Sequence, residues 1–95
     1  MTGADLDFRT LVERAGFPAG VEVGSYAEGL DRVFRAAEAG GGRGFEVVLT
    51  ADAVRMYGEG PAVATILKRL HDRAGEGLPA ARAPGQYERE VFVGD

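Results

Sequence analysis

The stretch from Phe45 to Tyr57 constrains the fold most, because β-branched and large apolar residues cluster there more densely than anywhere else in the chain. Its first half places Phe45, Val47 and Leu49 in alternation with the residues between them. A period of two is typical of a strand with one face on the core. The sequence therefore predicts a strand over residues 45–49 at the centre of a sheet.

The second half of this stretch allows two interpretations. Residues 50–52 suit a turn, and residues 53–57 again alternate, which predicts a returning strand and a central hairpin. In the alternative, Thr50 is the N-cap of a short helix over Ala51–Tyr57. The hairpin is the preferred prediction. If residues 51–57 formed a helix instead, the sheet would be small and parallel.

A long amphipathic helix is predicted after Ser25. Ser25 and Glu28 have the spacing of a capping box, and the glycines at 40–42 would end the helix. Two pairs of opposite charge, Glu28 with Arg32 and Asp31 with Arg35, have the favourable i,i+4 order. The predicted buried stripe consists of Tyr26, Leu30, Val33, Phe34 and Ala37.

The remaining elements follow from helical spacing, glycine and proline. Helices are predicted over about 8–15 and 61–74, strands over 21–23 and 87–93, and a loop over 76–86. Apart from the opening helix, the order is β-α-β-β-α-β, which predicts a ferredoxin-like α+β sandwich with an extra N-terminal helix. The alternative is a small parallel α/β three-layer fold. A chain of 95 residues predicts a single domain, 1–95.

Composition argues against several classes of function. The net charge is −4, and an acidic surface disfavours both nucleic acid and anionic membrane as partners. The chain has no cysteine, which excludes disulfides and thiolate chemistry. The N-terminal residues lack the pattern of a signal peptide, so a cytoplasmic protein is expected. Arginine supplies ten of the eleven basic residues, a bias typical of a GC-rich bacterial genome.

Residues 43–50, RGFEVVLT, partly resemble the first RNP motif of RNA-recognition domains, R-G-F-G-F-V-x-F. The first three residues match. Glu46, however, stands where a small residue is expected, and both later stacking aromatics are missing. Since base stacking needs those rings and a carboxylate repels phosphate, the segment favours a core strand over RNA binding.

No convergent set of catalytic or metal-binding residues is present. His71 is the only histidine, and neither a partner base nor a metal-ligand spacing accompanies it. No catalytic residue, metal or cofactor is therefore predicted. The alternative hypothesis is a small dimeric isomerase or lyase, with Tyr57, Arg55 and His71 in an apolar pocket.

The preferred hypothesis is a non-catalytic binding, assembly or regulatory module. If Phe45, Val47 and Leu49 face the helices, the other side of the sheet is left open, and aromatic and arginine side chains on it are typical of protein interfaces. A protein partner is expected, including a second copy of the chain. The predicted contact residues are Val48, Arg55, Tyr57 and Phe92.

Overall fold

The computed structural model describes residues 3–92, with side chains described from Phe8 onward. Within that range three helices pack on one face of a four-stranded mixed sheet. In chain order the elements are α1 (Gly3–Ala15), β1 (Val21–Glu28), β2 (Asp31–Glu38), β3 (Gly44–Leu49), α2 (Ala51–Tyr57), α3 (Glu59–Glu76) and β4 (Glu88–Phe92).

The sheet has the strand order β1-β2-β3-β4. The first three strands form an antiparallel meander, and β4 then pairs parallel to β3 after the crossover through α2 and α3. The prediction of an α+β fold is confirmed. The predicted ferredoxin-like arrangement is wrong, because three strands follow one another directly and the strand order is sequential. The parallel three-layer alternative is also wrong, since only one of the three strand pairs is parallel.

The long helix predicted after Ser25 is instead the hairpin of β1 and β2. Gly29 has a φ of 63° and occupies the first central position of a two-residue turn, as in type II′ hairpins. Glycine inside a helix costs about 1 kcal/mol, whereas the i,i+4 pairs contribute only a few tenths each. Val33 and Phe34 point to opposite faces of β2 and are both buried. Their adjacency, which resembled a helical stripe, reflects a strand covered on both sides.

The segment after β3 is the helix of the alternative interpretation, so the predicted central hairpin is wrong. Thr50 is the N-cap of α2, and its Oγ1 accepts a hydrogen bond from the backbone N–H of Ala53 at 3.1 Å. Asp31 supplies a second acceptor, to the N–H of Ala51 at 3.1 Å. Two polar caps therefore satisfy free N–H groups at the start of a helix of seven residues.

The core lies between the helices and β2–β3. The predicted helix over 61–74 lies within α3, whose apolar side chains face the core, with Ile66 and Leu70 fully buried. The connection from α3 to β4 is a packed loop: Leu78 is buried, and the C=O of Pro79 accepts a hydrogen bond from the N–H of Gly44 at 3.0 Å. This loop attaches the end of α3 to the start of β3.

Candidate functional site

The second face of the sheet carries no helix in residues 3–92. Because Phe45, Val47 and Leu49 point to the helices, Glu46 and Val48 point to this open face, as the sequence predicted. The cross-strand register arranges the open-face residues in rows. We define two of them: the charged row, Gly24, Arg35, Glu46 and Arg89, and the apolar row, Tyr26, Val33, Val48 and Val91.

Glu46 is the centre of the charged row and is only 3% exposed. Its Oε2 accepts hydrogen bonds from Nε of Arg35 at 2.7 Å and from the hydroxyl of Tyr26 at 3.2 Å, and it forms an ion pair with Nη2 of Arg35 at 2.6 Å. Its Oε1 accepts from Nε and Nη2 of Arg89, at 3.1 and 3.0 Å. Burying a carboxylate is costly unless it is paired and hydrogen-bonded, and here both oxygens are satisfied.

Arg89 joins the last strand to the first. Besides Glu46 on β3, its guanidinium donates to Glu28 on β1, with Nη1 2.8 Å from Oε1. The hydrogen bond to Glu28, followed by that to Glu46, raises the pKa of Arg89. The side chain thus crosses the open face above β2 and β3, where Val33 and Val48 are 0% and 5% exposed. Polar side chains cover apolar residues that no helix reaches.

Arg35 is held between two aromatic rings. Its guanidinium carbon lies 5.3 Å from the ring centroid of Tyr26 and 5.0 Å from that of Tyr87, within the range of cation–π attraction. Burial by itself lowers the pKa of Arg35, but the hydrogen bond and charge of Glu46 outweigh it and the net shift is upward.

The backbone makes room for this arrangement at Gly44. A Cβ on Gly44 would lie 2.7 Å from a ring carbon of Tyr87 and 3.1 Å from the C=O of Ala36. Since 2.7 Å is too short for two carbon atoms in contact, the ring of Tyr87 can take this position against β3 only above a glycine. The hydroxyl of Tyr87 then donates to the C=O of Gly41 at 2.9 Å.

The two arginines, Arg35 and Arg89, and the two carboxylates, Glu28 and Glu46, form a cluster with no net charge. Their hydrogen bonds and ion pairs fix its geometry in advance of any binding. Each carboxylate is bound by arginine, so neither Glu28 nor Glu46 is available as a free general base. The side chains of Arg35 and Arg89 remain 36% and 37% exposed. What the cluster offers to solvent is therefore oriented guanidinium and phenol edges. Among the described residues, no group of acidic or histidine side chains has the arrangement of a metal site.

The four predicted contact residues are not brought together on the open face. Val48 lies there but is buried. Arg55 and Tyr57 belong to α2 and not to a strand. Phe92 points to the helix side, where its ring centroid is 6.5 Å from that of Tyr57. Tyr57 and Phe92 are thus neighbours at the end of the sheet where β3 and β4 finish.

The pocket of the enzyme hypothesis does not form from the side chains described. His71 packs edge-on against Phe17, with ring centroids 5.6 Å apart. It follows Glu59 by twelve positions on α3, which places it roughly 18 Å along the helix from the end near Tyr57. Two surface cavities, of ≈ 720 and ≈ 430 Å³, are lined by other residues than Arg55, Tyr57 and His71.

Sequence reasoning missed most of the open-face cluster. The sequence pattern predicts a helix for Tyr26, Glu28 and Arg35, although Gly29 between them is an available turn signal. Arg89 alternates with its neighbours in the predicted last strand, but nothing in the sequence indicates which strand lies beside it. The buried position of Glu46 follows only from its two arginine partners.

No family model, curated protein or solved structure matches this chain. Of the helices described, none combines the length and apolar character needed to cross a membrane.

Proposed function

We propose that this chain is a non-catalytic cytoplasmic binding module that contacts another protein through the open face of its sheet. One observation carries the proposal. Arg35 and Arg89 lie on the sheet face that no helix of residues 3–92 covers; their side chains are about a third exposed, and the buried carboxylate of Glu46 holds both in place.

The chemistry of this surface supports a protein partner. Arginine and tyrosine are enriched at the centres of protein interfaces, where they contribute a large share of the binding energy. Side chains already fixed by hydrogen bonds lose little further freedom on association, and this lowers the entropic cost of binding. Tyr26, Tyr87 and the two arginines are fixed in this way.

The apolar row adds contact area at both of its ends. Tyr26 is 37% exposed on β1, and Val91 is 53% exposed on β4. Between them lies the guanidinium of Arg89. A partner that covers this row gains apolar burial at two points and hydrogen bonds to a cation in the middle, an arrangement that favours a neutral or acidic protein surface.

Site-specific photocrosslinking tests the proposal. A photoreactive phenylalanine analogue at Val91 should capture a partner in the native cell extract, whereas the same analogue at exposed Lys68 on α3 should not. The captured protein is then purified and titrated against the wild type by calorimetry. Arg89→Ala and Arg35→Ala should each weaken binding at least tenfold, because truncation of a central interface arginine costs about 2 kcal/mol.

A matched control is Arg82→Ala, which removes an arginine from the loop before β4. If all three alanine variants bind the captured protein equally, or if crosslinking from Lys68 equals that from Val91, the open face is not the contact surface.

A further inference from the structure

β1 is an edge strand with little side-chain cover. None of its eight residues is buried, and the same is true of the five residues of β4, whereas all six residues of β3 are buried. The cavity of ≈ 720 Å³ on the helix side is lined in part by Val23 and Ser25. The cavity of ≈ 430 Å³ on the open face is lined in part by Gly24 and Tyr26. On both faces of the sheet, side chains from the rest of the described chain therefore leave β1 partly uncovered.

The outer edge of β1 carries unpaired backbone groups in the described chain. The N–H of Ala39 donates to the C=O of Gly20 at 2.8 Å. This bond shows that the even-numbered residues of β1 are the ones whose backbone groups hydrogen-bond to β2. In an antiparallel pair the groups of alternate residues point to opposite sides, so four residues direct theirs outward. These are Val21, Val23, Ser25 and Ala27, of which Val21 has already used its N–H on the C=O of Pro18.

The other edge strand is protected more fully than β1. Natural sheets blunt their edges with short strands, charges, proline or bulges. β4 is five residues long, and α3 binds two of its carboxylates, with Arg69 2.5 Å from Glu90 and Arg73 3.4 Å from Glu88. β1 is eight residues long, carries charge only at Glu22 and Glu28, contains neither proline nor lysine, and pairs with β2 without a bulge.

We infer that the edge of β1 pairs antiparallel with β1 of a second copy of this chain, about a two-fold axis at Gly24. This surface is distinct from the open face of the proposed function, and the two can fail independently. The pairing joins two four-stranded sheets into one, with the open faces of both copies on the same side.

For a second copy, the positions of the outward groups select this register. The set Val21, Val23, Ser25 and Ala27 is symmetric about Gly24, so only an axis at that residue engages all four positions in both copies. Val23 then pairs with Ser25 of the other copy, and Val21 with Ala27. About six intermolecular backbone hydrogen bonds form, allowing for the N–H that Val21 has already used.

Side-chain charge favours the same register. With the axis at Gly24, Glu22 faces Tyr26 of the other copy. With the axis one residue later, at Ser25, Glu22 would face Glu28, and like charges directly opposite destabilise a strand pair. The two Gly24 residues meet at a position without hydrogen bonds between them, where Cα atoms approach to about 4.5 Å.

The absence of cysteine from the chain allows a test of this register with single-cysteine variants. Gly24→Cys adds a Cβ with no heavy atom within 4 Å. Across the axis the two thiols lie at a separation that suits a disulfide, whereas those of Ser25→Cys are offset by two residues along the strand and lie too far apart. Under mild oxidation, Gly24→Cys should form covalent dimer at least tenfold faster than Ser25→Cys.

Sedimentation equilibrium of the wild type supplies the second measurement, with a dimer expected. Ser25→Pro, which removes an outward N–H, should shift the equilibrium to monomer, and Ser25→Ala, which keeps that N–H, should not. Circular dichroism checks that each variant is folded. A wild type that stays monomeric at all concentrations overturns the inference, as does equal crosslinking of the two cysteine variants. A dimer in which Val91→Cys crosslinks faster than Gly24→Cys also overturns it, and would place self-association on the open face.

Discussion

The two faces of the central strands are covered by different means. On the helix side, Phe45 and Val47 pack against α3 residues such as Ile66. On the open side, Val33 and Val48 are equally buried, yet their cover consists of side chains fixed by ion pairs and hydrogen bonds. Apolar packing is non-directional and tolerates small shifts. The open side depends on directional contacts, so loss of one partner leaves the others unsatisfied.

The largest effect is expected on the helix side. Ile66→Ala removes a fully buried side chain from between α3 and the sheet, and should lower the free energy of unfolding by about 4 kcal/mol through lost transfer energy and the cavity left behind. Urea denaturation measures the change. Leu11→Ala, at a position 40% exposed, is the control and should cost less than half as much. Equal losses would mean that Leu11, which lines the cavity of ≈ 720 Å³, is packed as tightly as the core.

On the open side, Glu46→Ala should cost about 3 kcal/mol, because it leaves two guanidinium groups without their shared carboxylate. The loss is smaller than for Ile66→Ala because both arginines can turn toward solvent. The same urea titration applies, with Glu22→Ala as a matched removal of an exposed carboxylate on β1. If the two glutamate variants are equally stable, the buried network contributes nothing and the contrast between the faces fails.

A third test examines the space under Tyr87. Gly44→Ala places a methyl group 2.7 Å from the ring, so the ring must move and the stacking on Arg35 is lost; we expect about 2 kcal/mol of destabilisation. Gly42→Ala, where an added Cβ meets nothing within 4 Å, should change thermal stability little. A Gly44→Ala protein as stable as the wild type would show that the ring position is not needed to cover the open side.

The smallest effect concerns an ion pair that lies on neither face. The hydrogen bond from Lys68 lowers the pKa of the exposed carboxyl of Asp72 below its ordinary value of 3.8. The pair therefore stabilises the folded state fully at pH values above 3.8, and this stabilisation is lost as the pH falls through the lower pKa of Asp72 in the folded protein. NMR titration of Asp72 should give a higher pKa in Lys68→Ala than in the wild type. An unchanged pKa would remove Lys68 as its cause.

The helix side could be predicted in large part from sequence. The strand over residues 45–49 and the helix over 61–74 both follow from periodicity, because one face of each meets an apolar core. The hairpin of β1 and β2 could not be predicted in this way, since β2 is buried on both faces and its adjacent Val33 and Phe34 imitate a helical stripe. For residues 51–57, alternation over so short a segment fits a strand and a helix equally well.

The open-face cluster could be predicted less well from sequence patterns than the helix side. Glu46, Arg89 and Glu28 are separated by long stretches of chain, and only the strand order places them together. Arg55 and Tyr57 were assigned to the open face because the strand prediction required it. Once Thr50 caps a helix, both residues leave the sheet.

β4 supplies one of the two arginines that bind Glu46 on β3. This segment leaves the ribosome some forty positions after Glu46, which takes roughly two to eight seconds at ordinary rates of synthesis. The meander of the first three strands can assemble from contacts between sequence neighbours. Until β4 arrives, that meander exposes the backbone edge of β3 and a carboxylate with half of its counter-charge. A nascent chain stalled before β4 is therefore expected to be a better substrate for chaperones and proteases than the finished chain.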